Sequence, residues 1–210
     1  MSARDLGFAH RFFPGESDVT LLLLHGTGGG EDDLVPLGRE LAPRAAMLSP
    51  RGKVSEYGAA RFFRRLAEGV FDHEDLVFRT HELAEFLEAA SREYGFDPSK
   101  LVAVGYSNGA NIAASLMLLH PRLLRAAVLF RAMVPFEPEE PVDLTAMPVF
   151  LAAGQMDRMI PPQNTQRLAE ILTEAGADLD LRWRDTGHAL TYEEVAEAKE
   201  WFSGVLPRLL

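Results

Sequence analysis

Short apolar runs recur along this chain of 210 residues, each followed by a longer amphipathic stretch, and few architectures accept that order. Val19 to Leu24, Ala45 to Ser49, Leu101 to Tyr106, Ala126 to Phe130 and Val149 to Ala153 read as strands. They are too short for helices and are β-branched or Leu-rich, and Leu179 to Arg184 alternates as a strand does. Between them, Glu31 to Leu41, Glu74 to Tyr94, Ser107 to Leu119, Pro161 to Ala175 and Thr191 to Leu206 read as helices. Gly95 and Gly176 stand where helices stop, and Thr191 with Glu194 forms a capping-box pattern. Strand and helix in alternation predict an α/β fold with a mainly parallel sheet covered on both faces. No repeat, low-complexity tract or long linker interrupts the pattern, so residues 1–210 are expected to form a single domain. In such a sheet, ligands bind beyond the carboxyl ends of the strands.

Composition narrows the chemistry. Cysteine is absent, which removes disulfides, thiolate nucleophiles and cysteine metal sites. Covalent catalysis would have to use another side chain, and no cofactor or metal is expected. The net charge of −10, from 21 basic and 31 acidic residues, argues against nucleic acid or an anionic membrane as partner. Arg61-Phe62-Phe63-Arg64-Arg65 is a local exception, read as a solvated helix face rather than a basic patch. The apolar run Val19 to Leu24 is too short to span a bilayer, and Met1-Ser2-Ala3-Arg4-Asp5 lacks the features of a leader. A cytoplasmic location follows as the expectation.

Gly105-Tyr106-Ser107-Asn108-Gly109 matches the nucleophile-elbow pattern G-x-S-x-G. The pattern is common by chance, but here it follows a strand (Leu101-Val102-Ala103-Val104) and opens a helix (Ala110-Asn111-Ile112). A strand that reverses into a helix around one residue leaves the Ser side chain exposed at the apex. Glycines on either side keep side chains out of the tight bend. The helix N-terminus behind it offers unpaired N–H groups and a positive dipole end.

A serine hydroxyl needs a base. Of six histidines, His188 lies in Asp185-Thr186-Gly187-His188, after the last strand, in the chain order Ser, Asp, His. His120, before Pro121, suits a helix C-terminus, and His10, His73 and His81 read as surface or satisfied structural groups. The orienting acid is expected to be Asp157, at the strand end Gly154-Gln155-Met156-Asp157, with Asp185 as the alternative. The oxyanion donors expected are the backbone N–H groups of Asn108 and Thr27, the latter in His25-Gly26-Thr27-Gly28-Gly29. A phosphate-loop reading of those glycines fails, because no Gly-Lys-Ser/Thr follows and Glu31 replaces the third dinucleotide-fingerprint glycine.

With these motifs in order, the chain resembles the carboxylesterase/phospholipase branch of the α/β-hydrolase superfamily, which includes acyl-protein thioesterases. The resemblance spans roughly Val19 to Leu206. It rests on Leu24-His25-Gly26-Thr27-Gly28-Gly29, Val104 to Ala110, Gly154 to Pro161 and Gly187-His188. It implies a serine esterase or thioesterase acting on a small-molecule ester, with homodimers in some members. From the loop after Pro50-Arg51-Gly52 it also implies substrate contacts by Arg51, Tyr57, Phe62 and Phe63. No large insertion separates Ala126 from Val149, so no bulky lid is expected. The competing functional readings are a catalytically silent binding or regulatory protein on the same fold, and lyase or perhydrolase chemistry on the same triad.

Overall fold

The computed structural model describes residues 6–209; Met1 to Asp5, where no leader is expected, and Leu210 lie outside the described residues. In chain order the strands are β1 (His10–Phe13), β2 (Thr20–Leu24), β3 (Ala46–Pro50), β4 (Val54–Glu56), β5 (Ala59–Arg61), β6 (Arg65–Ala67), β7 (Val70–Phe71), β8 (Leu101–Tyr106), β9 (Ala126–Phe130), β10 (Pro148–Gly154) and β11 (Asp178–Arg184). The helices are α1 (Val35–Leu41), α2 (His73–Tyr94), α3 (Asn108–Leu119), α4 (Pro162–Glu174) and α5 (Tyr192–Val205). Seven strands form one sheet in the order β1-β3-β2-β8-β9-β10-β11, parallel throughout except for β1 against β3.

Side chains on a strand alternate between faces, and this sheet buries both. Leu22, Leu24, Ala103, Leu129 and Leu151 pack with Leu83 and Phe86 of α2, Ile112 and Leu116 of α3, and Leu168 and Leu172 of α4. Leu21, Leu23, Val102, Val104, Val128 and Phe150 pack on the other side with Val35 and Leu41 of α1 and Ala198 and Phe202 of α5. Each fully buried Leu contributes about 1.5–3 kcal/mol relative to exposure, so the central strands anchor the molecule. The register pairs Leu24 with Gly105 and Tyr106 with Phe130, so β2, β8 and β9 end at one level. The loops that carry chemistry therefore open onto one edge. Residues 131–147, between β9 and β10, form no helix or strand, in keeping with a fold without a large lid. Among the described residues no helix is long and apolar enough to cross a membrane.

Helix ends follow the sequence closely. Gly95 caps α2 at φ 72°, Gly176 follows α4 at φ 89°, and Thr191 with Glu194 completes a capping box on α5. The expected helix from Glu31 starts instead at Val35. Its first residues form turns, with Gly30 N–H donating to Asp33 Oδ2 at 3.0 Å, and Pro36 then suits the opening of α1. A larger difference lies at Arg61 to Arg65, read as a solvated helix face, which falls within a stretch of short strands from 54 to 71. That stretch forms two hairpins, β4–β5 and β6–β7. Tyr57 and Gly58, at φ 50° and 87°, make the tight first turn.

Candidate active site

Ser107 sits between β8 and α3 at φ 52°, ψ −114°, a conformation costing about 1–3 kcal/mol for a residue with a side chain. Its own backbone holds it there, with the N–H donating to Phe130 O at 2.8 Å and the carbonyl accepting from Asn111 N–H at 2.9 Å. The flanking glycines admit no substituent. A methyl group at Gly105 would lie 2.7 Å from Ala110 Cα, and one at Gly109 would lie 1.9 Å from Leu24 O. The elbow is a packing consequence of helix α3 pressed against the end of β2.

Two other strand ends meet Ser107. His188, in the loop after β11, places Nε2 3.0 Å from Ser107 Oγ and Nδ1 2.7 Å from Asp157 Oδ2. A carboxylate only accepts, so Nδ1 carries the proton and Nε2 is left to accept from the serine hydroxyl. Asp157 is buried after β10, and its other oxygen accepts from Met159 and Ile160 N–H at 2.8 and 3.2 Å. These two amides and the imidazole fix the carboxylate. Asp185, the alternative acid, is exposed on the surface. Among the described residues the backbone N–H groups of Thr27 and Asn108 donate to no protein group, and both residues line the cleft with Ser107 and His188. The arrangement can take a proton from a serine and hold an oxyanion beside it.

The sequence reading missed the supports of this constellation. Arg131, the first residue after β9, is buried at φ 57° and donates to Gly187 O at 3.0 Å and Ala189 O at 3.0 Å, on either side of His188. Its guanidinium is neutralised by Glu194 at 2.6 and 2.9 Å. The available signal was an arginine at the end of an all-apolar strand, which must find a buried acid. Gly154 has a similar role, since a methyl group there would lie 2.4 Å from Thr186 O and 2.5 Å from Gly187 O. Tyr106 hydroxyl donates to His188 O at 3.1 Å. His25 is buried with Nδ1 donating to Gly26 O at 2.7 Å and Nε2 accepting from Gly52 N–H at 2.9 Å. Burial holds its pKa below the ordinary histidine value. The ring is a neutral tie between the Thr27 loop and the Gly52 turn.

None of the four expected substrate contacts lines the cleft. Phe62 and Phe63 are core residues, 2% and 0% exposed, because the hairpin connection folds them inward. Tyr57 projects into solvent at a hairpin tip, and Arg51 forms a surface ion pair with Glu31 at 2.8 Å. Arg61, Arg65 and Phe71 of the same stretch line the cleft instead, with Asn111, Met133 and Ile160 among the other walls. Three of the remaining histidines are bonded within the fold, and His73 is exposed at the start of α2. His10 bonds Tyr94 hydroxyl and Phe8 O at 2.7 Å each, and His81 and His120 pair at 2.9 Å. Burial, then His81, lowers the pKa of His120, which disfavours the helix-end cation expected there.

Comparison with known proteins agrees with this fold. A Bacillus subtilis (strain 168) protein named "Putative hydrolase MhqD" is 46% identical over 193 residues, covering 92% of this chain and 96% of that protein. The crystal structure of the Bacillus cereus carboxylesterase superposes with a TM-score of 0.92, at 48% identity over 94% of each chain. A carboxylesterase from Mesorhizobium loti superposes with a TM-score of 0.90, at 33% identity over 96% of this chain and 97% of that one. The family model for phospholipase/carboxylesterase proteins matches residues 67–206. The chain is thus an α/β-hydrolase-fold protein that belongs to the phospholipase/carboxylesterase family of hydrolases.

Proposed function

We propose that this hydrolase is a serine carboxylesterase that cleaves carboxylic esters or thioesters of small soluble substrates through an acyl-enzyme on Ser107. The observation that carries the reading is the unbroken relay from Asp157 Oδ2 through the His188 ring to Ser107 Oγ, at 2.7 and 3.0 Å. In acylation His188 Nε2 takes the hydroxyl proton as Oγ attacks the acyl carbon. The oxyanion is received by the N–H groups of Thr27 and Asn108, and Asp157 stabilises the imidazolium without taking its proton. His188 then protonates the departing alcohol or thiol. Water, activated by the same imidazole, attacks the acyl carbon and restores Ser107 as the acid leaves.

The cleft around Ser107 is small, about 40 Å³. A catalytically silent binding protein would need a broken relay, and contact at hydrogen-bond distance on both sides of His188 counts against it. The test is hydrolysis of short p-nitrophenyl esters by the wild type and Ser107→Ala. Loss of the nucleophile is expected to lower kcat by about 10⁶. Undiminished turnover by the alanine variant would refute the assignment.

A further inference from the structure

The cleft wall beside Ser107 carries four hydrogen-bond-donating side chains, Arg61, Arg65, Asn108 and Asn111, among apolar Phe71, Met133, Met159 and Ile160. Phe62 and Phe63 bury themselves in the core and carry Arg61 in with them, leaving it 3% exposed. Arg61 Nε donates to Phe63 O at 3.2 Å and Nη1 to Thr27 Oγ1 at 2.7 Å, which leaves Nη2 without a hydrogen bond among the described residues. Arg65 lies next to it with Nε on both oxygens of Glu56, at 2.9 and 3.1 Å. Glu56 is also the carboxylate near Arg61, at 3.4 Å. Among the described residues the two guanidinium groups share this one counter-ion, so a positive charge remains unmatched. Glu68 is exposed on the rim and pairs with neither arginine among the described residues.

Two asparagines extend the pattern. Asn108 Oδ1 accepts from Phe62 N–H and Asn111 Oδ1 accepts from Met133 N–H, each at 2.7 Å. With the oxygens so fixed, the amide NH₂ ends are the ones left over. Asn108 Nδ2 is buried and has no partner among the described residues, a costly state unless an acceptor arrives. Both asparagines and both arginines line the same cleft as Ser107 and His188.

We propose that this wall is a carboxylate subsite, so that the substrate is an ester bearing a second, ionised carboxyl group. Arg61 and Arg65 hold the carboxylate, and the asparagine NH₂ groups supply further donors. The assignment rests on the serine-esterase reading above. Hydrolysis adds water across the ester bond and leaves the bound carboxylate unchanged. The carboxylate belongs either to the acyl part, as in a half-ester of a short dicarboxylic acid, or to the alcohol part.

Matched pairs of esters test this. On the acyl side, mono-4-nitrophenyl glutarate is compared with 4-nitrophenyl pentanoate; on the alcohol side, 4-carboxyphenyl acetate with 4-carbamoylphenyl acetate. Each rate is corrected for the ester's reactivity toward hydroxide. In one pair the charged ester should show kcat/KM about ten- to a hundredfold above its neutral partner, the scale of a hydrogen bond to a charged group. In Arg61→Gln and Arg65→Gln that ratio should fall towards one, whatever the absolute rates. Arg65 is partly exposed, so its variant serves if Arg61→Gln fails to fold. Neutral esters cleaved as well as charged ones in both pairs, or a preference that survives in every folded arginine variant, would overturn the proposal. If the wild type cleaves no ester, the serine-esterase reading fails instead, and calorimetric binding of glutarate decides the subsite. Binding lost in Arg65→Gln supports it; no binding, or equal binding, overturns it.

Discussion

Replacing Glu194 by Gln would leave the Arg131 guanidinium buried with its counter-ion removed. Both side chains are 1% exposed and meet at 2.6 Å. Glu194 also accepts from Thr191 N–H at 2.9 Å, so it joins the α5 cap to the loop that carries His188. Breaking one side of such a pair costs about 3–5 kcal/mol, because the surviving charge stays in a low-dielectric site. That is a third or more of the stability of many domains, and at this chain length corresponds to a fall in Tm of about 6–20 °C. Glu194→Gln and Arg131→Met should each show this loss in urea unfolding at pH 7. The double variant Arg131→Met/Glu194→Met should recover much of it, since neither charge is then left alone. Activity should not recover with it, because Gly187 O and Ala189 O have lost the clamp that holds His188 between them. A cost below about 1 kcal/mol for Glu194→Gln, or a double variant as unstable as the two losses added, would refute this reasoning.

Three further outcomes follow from the geometry. Asp157→Asn should lower kcat by about 10⁴ with little change in fold, whereas Asp185→Asn should leave ester hydrolysis unaltered; comparable losses in both would reverse the choice of acid. Gly154→Ala pushes a methyl group into the Thr186 and Gly187 carbonyls, and displacing the His188 loop by about 1 Å should cost roughly a hundredfold in kcat. Wild-type kcat in that variant would show that the loop tolerates the shift. His25 is held neutral by burial, so the unfolded chain takes up a proton more readily than the folded one below about pH 6.5. Its contribution to stability is complete above that pH and is lost as pH falls towards the lowered value. The urea midpoint should therefore drop more steeply between pH 6.5 and 5 in the wild type than in His25→Gln; parallel slopes would remove His25 as the cause.

The strand-end loops are legible in the sequence because their signals are local. Six apolar residues before Ser107 make a strand, the residues after it make a helix, and the glycines report the steric conflict between them. Asp157 and His188 are found because each follows a strand. The hairpins at 54–71 are not legible in the same way. Their arms are two or three residues long, and the turn rests on Tyr57 adopting a positive φ. Arg61 is misread as a surface charge because its burial depends on Thr27 and Glu56, one on a distant loop and one across the hairpin. Phe62 and Phe63 are taken for pocket walls, although an aromatic pair is as well explained by the core it fills. Arg131 goes unnoticed because its acid lies on a helix near the end of the chain. Local grammar reveals the candidate groups; the charges that hold them in place are set by tertiary contacts.

Mass-spectrometric mapping of a fluorophosphonate adduct identifies which residue is the nucleophile. Stoichiometric labelling of the folded protein at Ser107 alone is expected, with labelling lost in His188→Ala although the serine remains. A label on another residue, or Ser107 unreactive in an intact and folded protein, would contradict the Ser107 assignment.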